Sequence, residues 1–347
     1  MSGRAVAAGT SLVAGAETRV SRSLPRLFGS IAAVGAVLAA VPLWVGDSRV
    51  RMGVAILGLA FACYAIGFNL IFGSTGQLFL CVGALAGVGG YGTALLADRV
   101  GVPVVAALVL AALGAALVGG LLSWVAVRRS LGVIFAGIIT LIFALSFENL
   151  VLGASTITGG DSGIQVSAGS GTFLRERTTA YYVMLGLVLL CLVVHGLLRR
   201  SRVGWAFRAL RDDEVAAELA GVDVARYRVY AALVGSAMLG LAGGTYALIA
   251  GRVSPTTYGF AQVDVVVIVM LAFGGIGTLV GPVLGATVFT ILDELLIELG
   301  QLRLLAYGVL VIVLFLWIRR GLIPTLAGLV RRKPGSPPGT APDGEPG

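Results

Sequence analysis

An all-α fold threaded many times through a membrane is what this sequence predicts, and three observations predict it. The 347 residues are 58% hydrophobic and 12% charged, with a mean hydropathy of +0.99; a soluble domain carries about a quarter charged residues. The apolar residues gather into runs of about 20, the length that crosses a hydrocarbon core. The net charge of +8 is almost all arginine held beside those runs, Lys333 being the only lysine. Lipid is therefore the solvent of most of this chain. Arginine at span ends, without interleaved aromatics, follows the positive-inside rule and argues against nucleic-acid binding. The 51 glycines suit close packing between membrane helices.

Taken in order, residues 1–26 are polar, small and Arg-bearing and read as a cytoplasmic tail. No convincing cleavage site accompanies the first apolar run, so it reads as a retained span rather than a signal peptide. Spans are expected at about 27–45, 52–72, 78–97, 102–127, 131–152, 180–198 and 229–250, two more within 263–298, and a last at 304–318. Residues 27–320 thus form one transmembrane domain of about ten helices, some discontinuous, and a Pro/Gly-rich tail occupies 321–347. With both termini cytoplasmic, the Arg-rich loops at 128–130 and 199–228 and the tail all fall inside. The three cysteines lie in apolar runs with no metal-ligand spacing and no disulfide framework.

The longest charged stretch between spans is 199–228. From about Trp205 to Ala220 it reads as one amphipathic helix with Gly221 as its C-terminal cap. Ala206, Ala209, Ala216, Ala217 and Ala220 give it a small-residue surface that another protein can approach closely. Arg208 with Asp212, and Arg211 with Glu214, have the spacing for local ion pairs. Two readings stand: a solvated surface helix, or a lever on which a cytoplasmic partner docks.

Two breaks interrupt the apolar pattern. The first runs from Asn69 through Gly73 and Gly76 to Gln77; the second holds Gly274, Gly275, Gly277, Gly281 and Pro282. Interrupted helices expose backbone groups that are tolerated at membrane depth only when buried in protein or lining a wet cavity. Tight turns or packing glycines are the plainer alternative. Glu148, beside Asn149 and two turns after Thr140, is a further pathway candidate, because an acid in a span is expensive unless it serves. Asp264, Asp293 and Glu294 read as acids near a membrane face. Gly159 and Gly160 open a turn that includes Ser162, but the only histidine, His195, lies near the far end of the next span, so no hydrolase nucleophile is built there. The chain contains no P-loop motif, so ATP, if it drives transport, is hydrolysed elsewhere.

Several of these motifs carry a resemblance. Glu214-Val-Ala-Ala217 followed by Gly221 resembles the coupling loop of ABC importer permeases. The run from Trp205 to Tyr230 is similar to the branched-chain amino acid permease family, LivM type. So are Gly73, Gly76 and Gln77, Tyr91, the Thr158–Gly163 turn, the Gly274–Pro282 run and Ala306-Tyr-Gly-Val-Leu, all in the family's order over about residues 50–325. The chain departs from that pattern at Phe79-Leu80-Cys81-Val82, where the family carries polar groups.

The resemblance implies an inner-membrane permease subunit of an ABC importer, with no catalytic or metal site and no cofactor of its own. It implies a LivH-like second permease, two cytoplasmic ATPases carrying ATP-Mg, and an extracytoplasmic binding protein. Transport of branched-chain or related amino acids by ATP-driven alternating access is the expected function. Glu214, Ala217 and Gly221 would form the docking surface, while Arg208 and Arg211 would contact the ATPase or hold the loop. The alternative is a stand-alone secondary transporter or channel for a small neutral solute; urea or short amides are alternative substrates.

Overall fold

The computed structural model describes residues 28–45, 48–129, 132–166, 176–296 and 308–309. Eleven helices carry the architecture of these residues. They are α1 (Phe28–Trp44), α2 (Arg49–Phe68), α3 (Val82–Asp98), α4 (Val104–Arg128), α5 (Val133–Gly153), α6 (Arg177–Arg200), α7 (Arg202–Asp212), α8 (Glu214–Leu219), α9 (Val224–Ala250), α10 (Phe260–Gly274) and α11 (Gly281–Leu296). Six helical stretches are long and apolar enough to span a membrane: Arg49–Gly73, Val104–Arg128, Val133–Gly153, Arg177–Arg200, Val224–Ala250 and Pro255–Gly274. The protein is an all-α, multi-pass membrane protein. Against the ten spans expected, α1, α3 and α11 fall short of that length, α3 with 17 residues and α11 with 16. The expected last span, apart from 308–309, and both tails lie outside the described residues.

The core is built by close approach. Membrane helices gain little from burying apolar surface, since lipid is equally apolar, so small residues that let backbones touch hold them together. Helix α9 packs along α3 and α4 in this way. A Cβ on Gly243 would fall 2.0 Å from the Ala86 carbonyl oxygen, and one on Gly240 would fall 2.6 Å from the Ala115 Cβ. Large side chains such as Phe68, Leu239 and Leu271 fill the remainder. The outer faces of α4 and α5 are apolar and exposed, with Leu113, Leu117 and Leu121 on one and Ile134, Phe135 and Ile142 on the other. Lipid or another membrane helix suits such a surface.

Helix α3 is short because the chain before it is unwound. After α2 the backbone widens into a π-turn, Asn69–Gly73, and residues 76–81 are not helical. Two side-chain hydrogen bonds tie this segment to its neighbours inside the bundle. The Leu80 N–H donates to the Thr140 hydroxyl (2.9 Å), and the Ser123 hydroxyl donates to Gln77 Oε1 (2.9 Å). The first N–H groups of α3, on Val82 and Gly83, donate to the buried Asp264 carboxylate at 2.5 and 3.1 Å. Asp264 thus supplies the acceptor that a helix start requires. The discontinuity predicted at the first break is real, and Asp264 is a buried cap rather than an acid at a membrane face.

The helix directions separate two ends of the molecule. Arg177 at the start of α6 donates to the Arg49 carbonyl at the start of α2 (3.0 Å), so these helices run parallel. Their far ends, near Gly73 and Arg200, meet α7. At the opposite end a two-stranded antiparallel ladder, β1 (Ile164–Gln165) with β2 (Arg252–Val253), ties two loops together, Ile164 facing Val253.

Candidate functional site: the coupling loop and the helix breaks

The loop after α6 folds into two helices where the sequence predicted one. Asp213 adopts an extended backbone (φ −159°), and its carboxylate accepts from the Val215 and Ala216 N–H groups at 2.9 and 3.0 Å. An aspartate competes with helix continuation in this way because its short side chain can cap a new start. Helix α8 ends where Gly221 enters the left-handed region (φ +83°), with its N–H donating to the Glu218 carbonyl (2.9 Å), as the sequence predicted.

The two helices turn distinct faces inward and outward. Ala206, Phe207 and Leu210 of α7 and Ala217 of α8 are buried within the chain. Trp205, Val215 and Leu219 stand outside, at 69%, 66% and 85% exposure. Large exposed apolar groups on a wet surface loop mark a contact surface. Neither ion pair expected from local spacing forms among the described residues. Glu214 takes a two-pronged hydrogen bond from Arg228 at the start of α9 (2.8 Å each). Arg208 lies over the Trp205 ring, 4.5 Å from its centroid. Arg211 turns towards the helix breaks.

There the structure brings both predicted breaks together. The Asn69 side chain is fully buried and bonds the second break on two sides: it donates to the Thr278 carbonyl (2.7 Å) and accepts from the Gly277 N–H (2.7 Å). Arg211 Nη1 donates to the Gly73 carbonyl (2.9 Å), and its Nη2 lies 3.5 Å from the Ile276 carbonyl. Gly277 sits at positive φ (+75°), and a Cβ there would fall 1.7 Å from Arg211 Nη1. Only glycine leaves room for the guanidinium. A small cavity opens beside this junction, lined by Ser74, His195, Arg199, Phe207, Arg208 and Arg211 among others. Gly274 and Gly275 belong to the same break. A Cβ on Gly274 would fall 1.9 Å from the Gly281 carbonyl oxygen, so the chain folds back tightly between α10 and α11. Gly76 ends the first break in the left-handed region (φ +71°), and Gln77 joins α4 through Ser123.

Glu148, Gly159 and Gly160 lie at the other end. Glu148 is half-buried near Gly259, where an added Cβ would be 3.6 Å from its Oε1. It is two turns from Thr140, whose hydroxyl accepts from the Leu80 N–H of the unwound segment. Gly159 and Gly160 shape the tight turn preceding β1, and Arg252 donates to the Ser162 carbonyl there. Phe79, Cys81 and Val82, the departure from the family pattern, are buried in the core. Among the described residues, no group of three His, Cys, Asp or Glu side chains is placed to hold a metal.

Sequence reasoning named Asp264 and Thr140 but missed what they do, and it missed Ser123 altogether. One signal was available: a span acid needs donors, and an unwound segment supplies free N–H groups.

The family model described as "Branched-chain amino acid transport system / permease component" matches residues 50–318. The chain belongs to this family. Two relatives are the high-affinity branched-chain amino acid transport system permease proteins LivM of Escherichia coli (strain K12) and of Salmonella typhimurium. Each is 29% identical over 318 residues, covering 84% of this chain and 74% of the relative. The fructose import permease protein FrcC of Rhizobium meliloti is 33% identical over 152 residues, 40% of this chain and 41% of its own length. No solved structure matches. The permease is thus a transport subunit by family, and its coupling-type loop and both glycine breaks lie inside the matched region.

Proposed function

We propose that this permease is one of the two membrane subunits of an ATP-driven importer for branched-chain or related amino acids. The observation that carries the reading is the α7–α8 pair. It lies between two spans, is anchored inward by Phe207, Leu210 and Ala217, and presents Trp205, Val215 and Leu219 outward. A rigid element with an exposed apolar face is what a cytoplasmic ATPase needs to push on. Two such ATPases carrying ATP-Mg would dock on the pair formed by this subunit and a LivH-like second permease. ATP binding would close the ATPases, α7–α8 would move with them, and the spans would reorient around a central path.

The substrate assignment rests on the names of the two long relatives. An extracytoplasmic binding protein would deliver the amino acid at the Glu148–Gly160 end. The arginine-rich α6–α9 loop then faces the cytoplasm, with both termini on the same side of the inner membrane. Glu214 acts by shaping the loop through Arg228. The docking surface is Trp205, Val215 and Leu219, with Ala217 supporting it from within and Gly221 ending α8.

Purification of the tagged permease from its native membrane, followed by identification of the co-purifying chains, tests this. A P-loop ATPase and a second permease are expected, together with leucine-stimulated uptake in proteoliposomes. A chain that purifies alone and transports without ATP would overturn the reading in favour of a secondary transporter.

A further inference from the structure

The docking helix and both helix breaks meet at one side chain. Arg211 belongs to α7, yet its guanidinium donates to the Gly73 carbonyl of the first break and lies against Ile276 and Gly277 of the second. The breaks are themselves joined, because Asn69 bonds both Gly277 and Thr278. Gly73 lets this happen: a Cβ there would fall 2.1 Å from Asn69 Oδ1 and 2.9 Å from the Gly277 nitrogen. The two unwound segments therefore form a single hydrogen-bonded unit, and Arg211 is its side-chain link to the docking element. A guanidinium suits this place, since its planar fork reaches two carbonyl oxygens at once. It also brings a cation to the carbonyl end of the turn that closes α2, where the helix field favours positive charge.

We propose that Arg211 is a positioning residue, the pin through which movement of α7–α8 reaches both helix breaks, and that the joined breaks form the gate at the coupling-loop end of the permease. This deepens the importer reading and rests on it. An element moved by the ATPases transmits that motion only through contacts that differ between its two positions. At 2.9 Å, the Arg211–Gly73 bond is one that a shift of α7 by about 1–2 Å would break unless the π-turn followed. The π-turn is a fitting place for such a role, because single π-turns inside α-helices are rare and frequent at functional sites. Arg208, one turn away, stacks on Trp205 and makes no bond to either break among the described residues.

The test uses the complete complex with its ATPases and needs no knowledge of the substrate. Backbone hydrogen exchange is measured over 69–77 and 274–282, without nucleotide and with the ATPases trapped by ATP and vanadate. In the unaltered complex, trapping should change exchange in both segments together, by about tenfold. In R211Q the ATPases should still co-purify and hydrolyse ATP, while the change on trapping falls below about twofold in both segments. R211K, which keeps the charge but loses the fork, should lie between. Should R211Q retain the full response, or should trapping leave both breaks unchanged in the unaltered complex, the pin is wrong although the importer reading stands. The second measurement needs no variant, so a misfolded R211Q does not shelter the proposal. If no ATPase co-purifies with the unaltered permease, the importer reading fails and the pin falls with it.

Discussion

Asn69 shows what one side chain does in a membrane protein. Its amide offers one donor and one acceptor to two part-buried backbone groups and satisfies both. Replacement by leucine would leave the Gly277 N–H and Thr278 carbonyl unpaired, at about 1–3 kcal/mol each. N69L should therefore lower the thermal midpoint of the detergent-purified permease by several degrees, read by intrinsic fluorescence, and an unchanged midpoint would show that the breaks are not joined through this residue. Asp264 sets the same problem at the start of α3. D264L removes both acceptors from Val82 and Gly83 and should yield little folded protein, whereas D264N keeps one acceptor and should recover most of the yield in size-exclusion chromatography. Equal yields from the two variants would argue that the cap is dispensable.

Among the elements, α7 and α8 depend on a break that Asp213 enforces and on the Glu214–Arg228 pair that fixes α8 to α9. The pair is partly solvated, so its contribution to stability is small, about 0–1 kcal/mol at most; its importance is angular. E214R puts two cations face to face and should reduce ATPase co-purification while the permease still inserts and folds. The exchanged pair, E214R with R228E, should restore co-purification. Failure of the exchange to rescue would mean that Glu214 touches the ATPase directly. The helix itself was legible in the sequence, and so was its Gly221 cap, because amphipathic spacing and a left-handed cap are local signals. The split at Asp213 was not, because an aspartate inside a helical pattern can as easily face solvent as start a new turn. The partners of Arg211 and Glu214 were misjudged for a related reason: spacing names the neighbours on the same helix, and tertiary contacts outbid them.

The whole molecule is held by backbones in contact, with α9 at the centre of a bundle made from small residues. Gly240 is a test at this scale, since its Cβ would meet Ala115 and its neighbours on α4. G240L should force α4 and α9 apart and abolish monodisperse protein, whereas the same change at Gly114, where nothing lies within 4 Å, should be tolerated. If both variants behave alike, close α4–α9 packing is not what holds the core. The exposed apolar faces of α4 and α5 suit contact with lipid or with another membrane helix.

The sequence by itself determined the solvent of this protein, the order of its membrane segments, the positions of both breaks and the charged loop that carries α7 and α8. Each of these is a local property: hydropathy over about 20 residues, glycine in short runs, or arginine at span ends. Only the tertiary structure decided that Arg211 reaches Gly73 across 138 residues, that Asn69 reaches Gly277 across 208, and that Asp264 starts α3 from 182 away. No periodicity encodes such pairs. They follow from which helix faces pack, and in this protein that is settled by where glycine and alanine let two backbones touch.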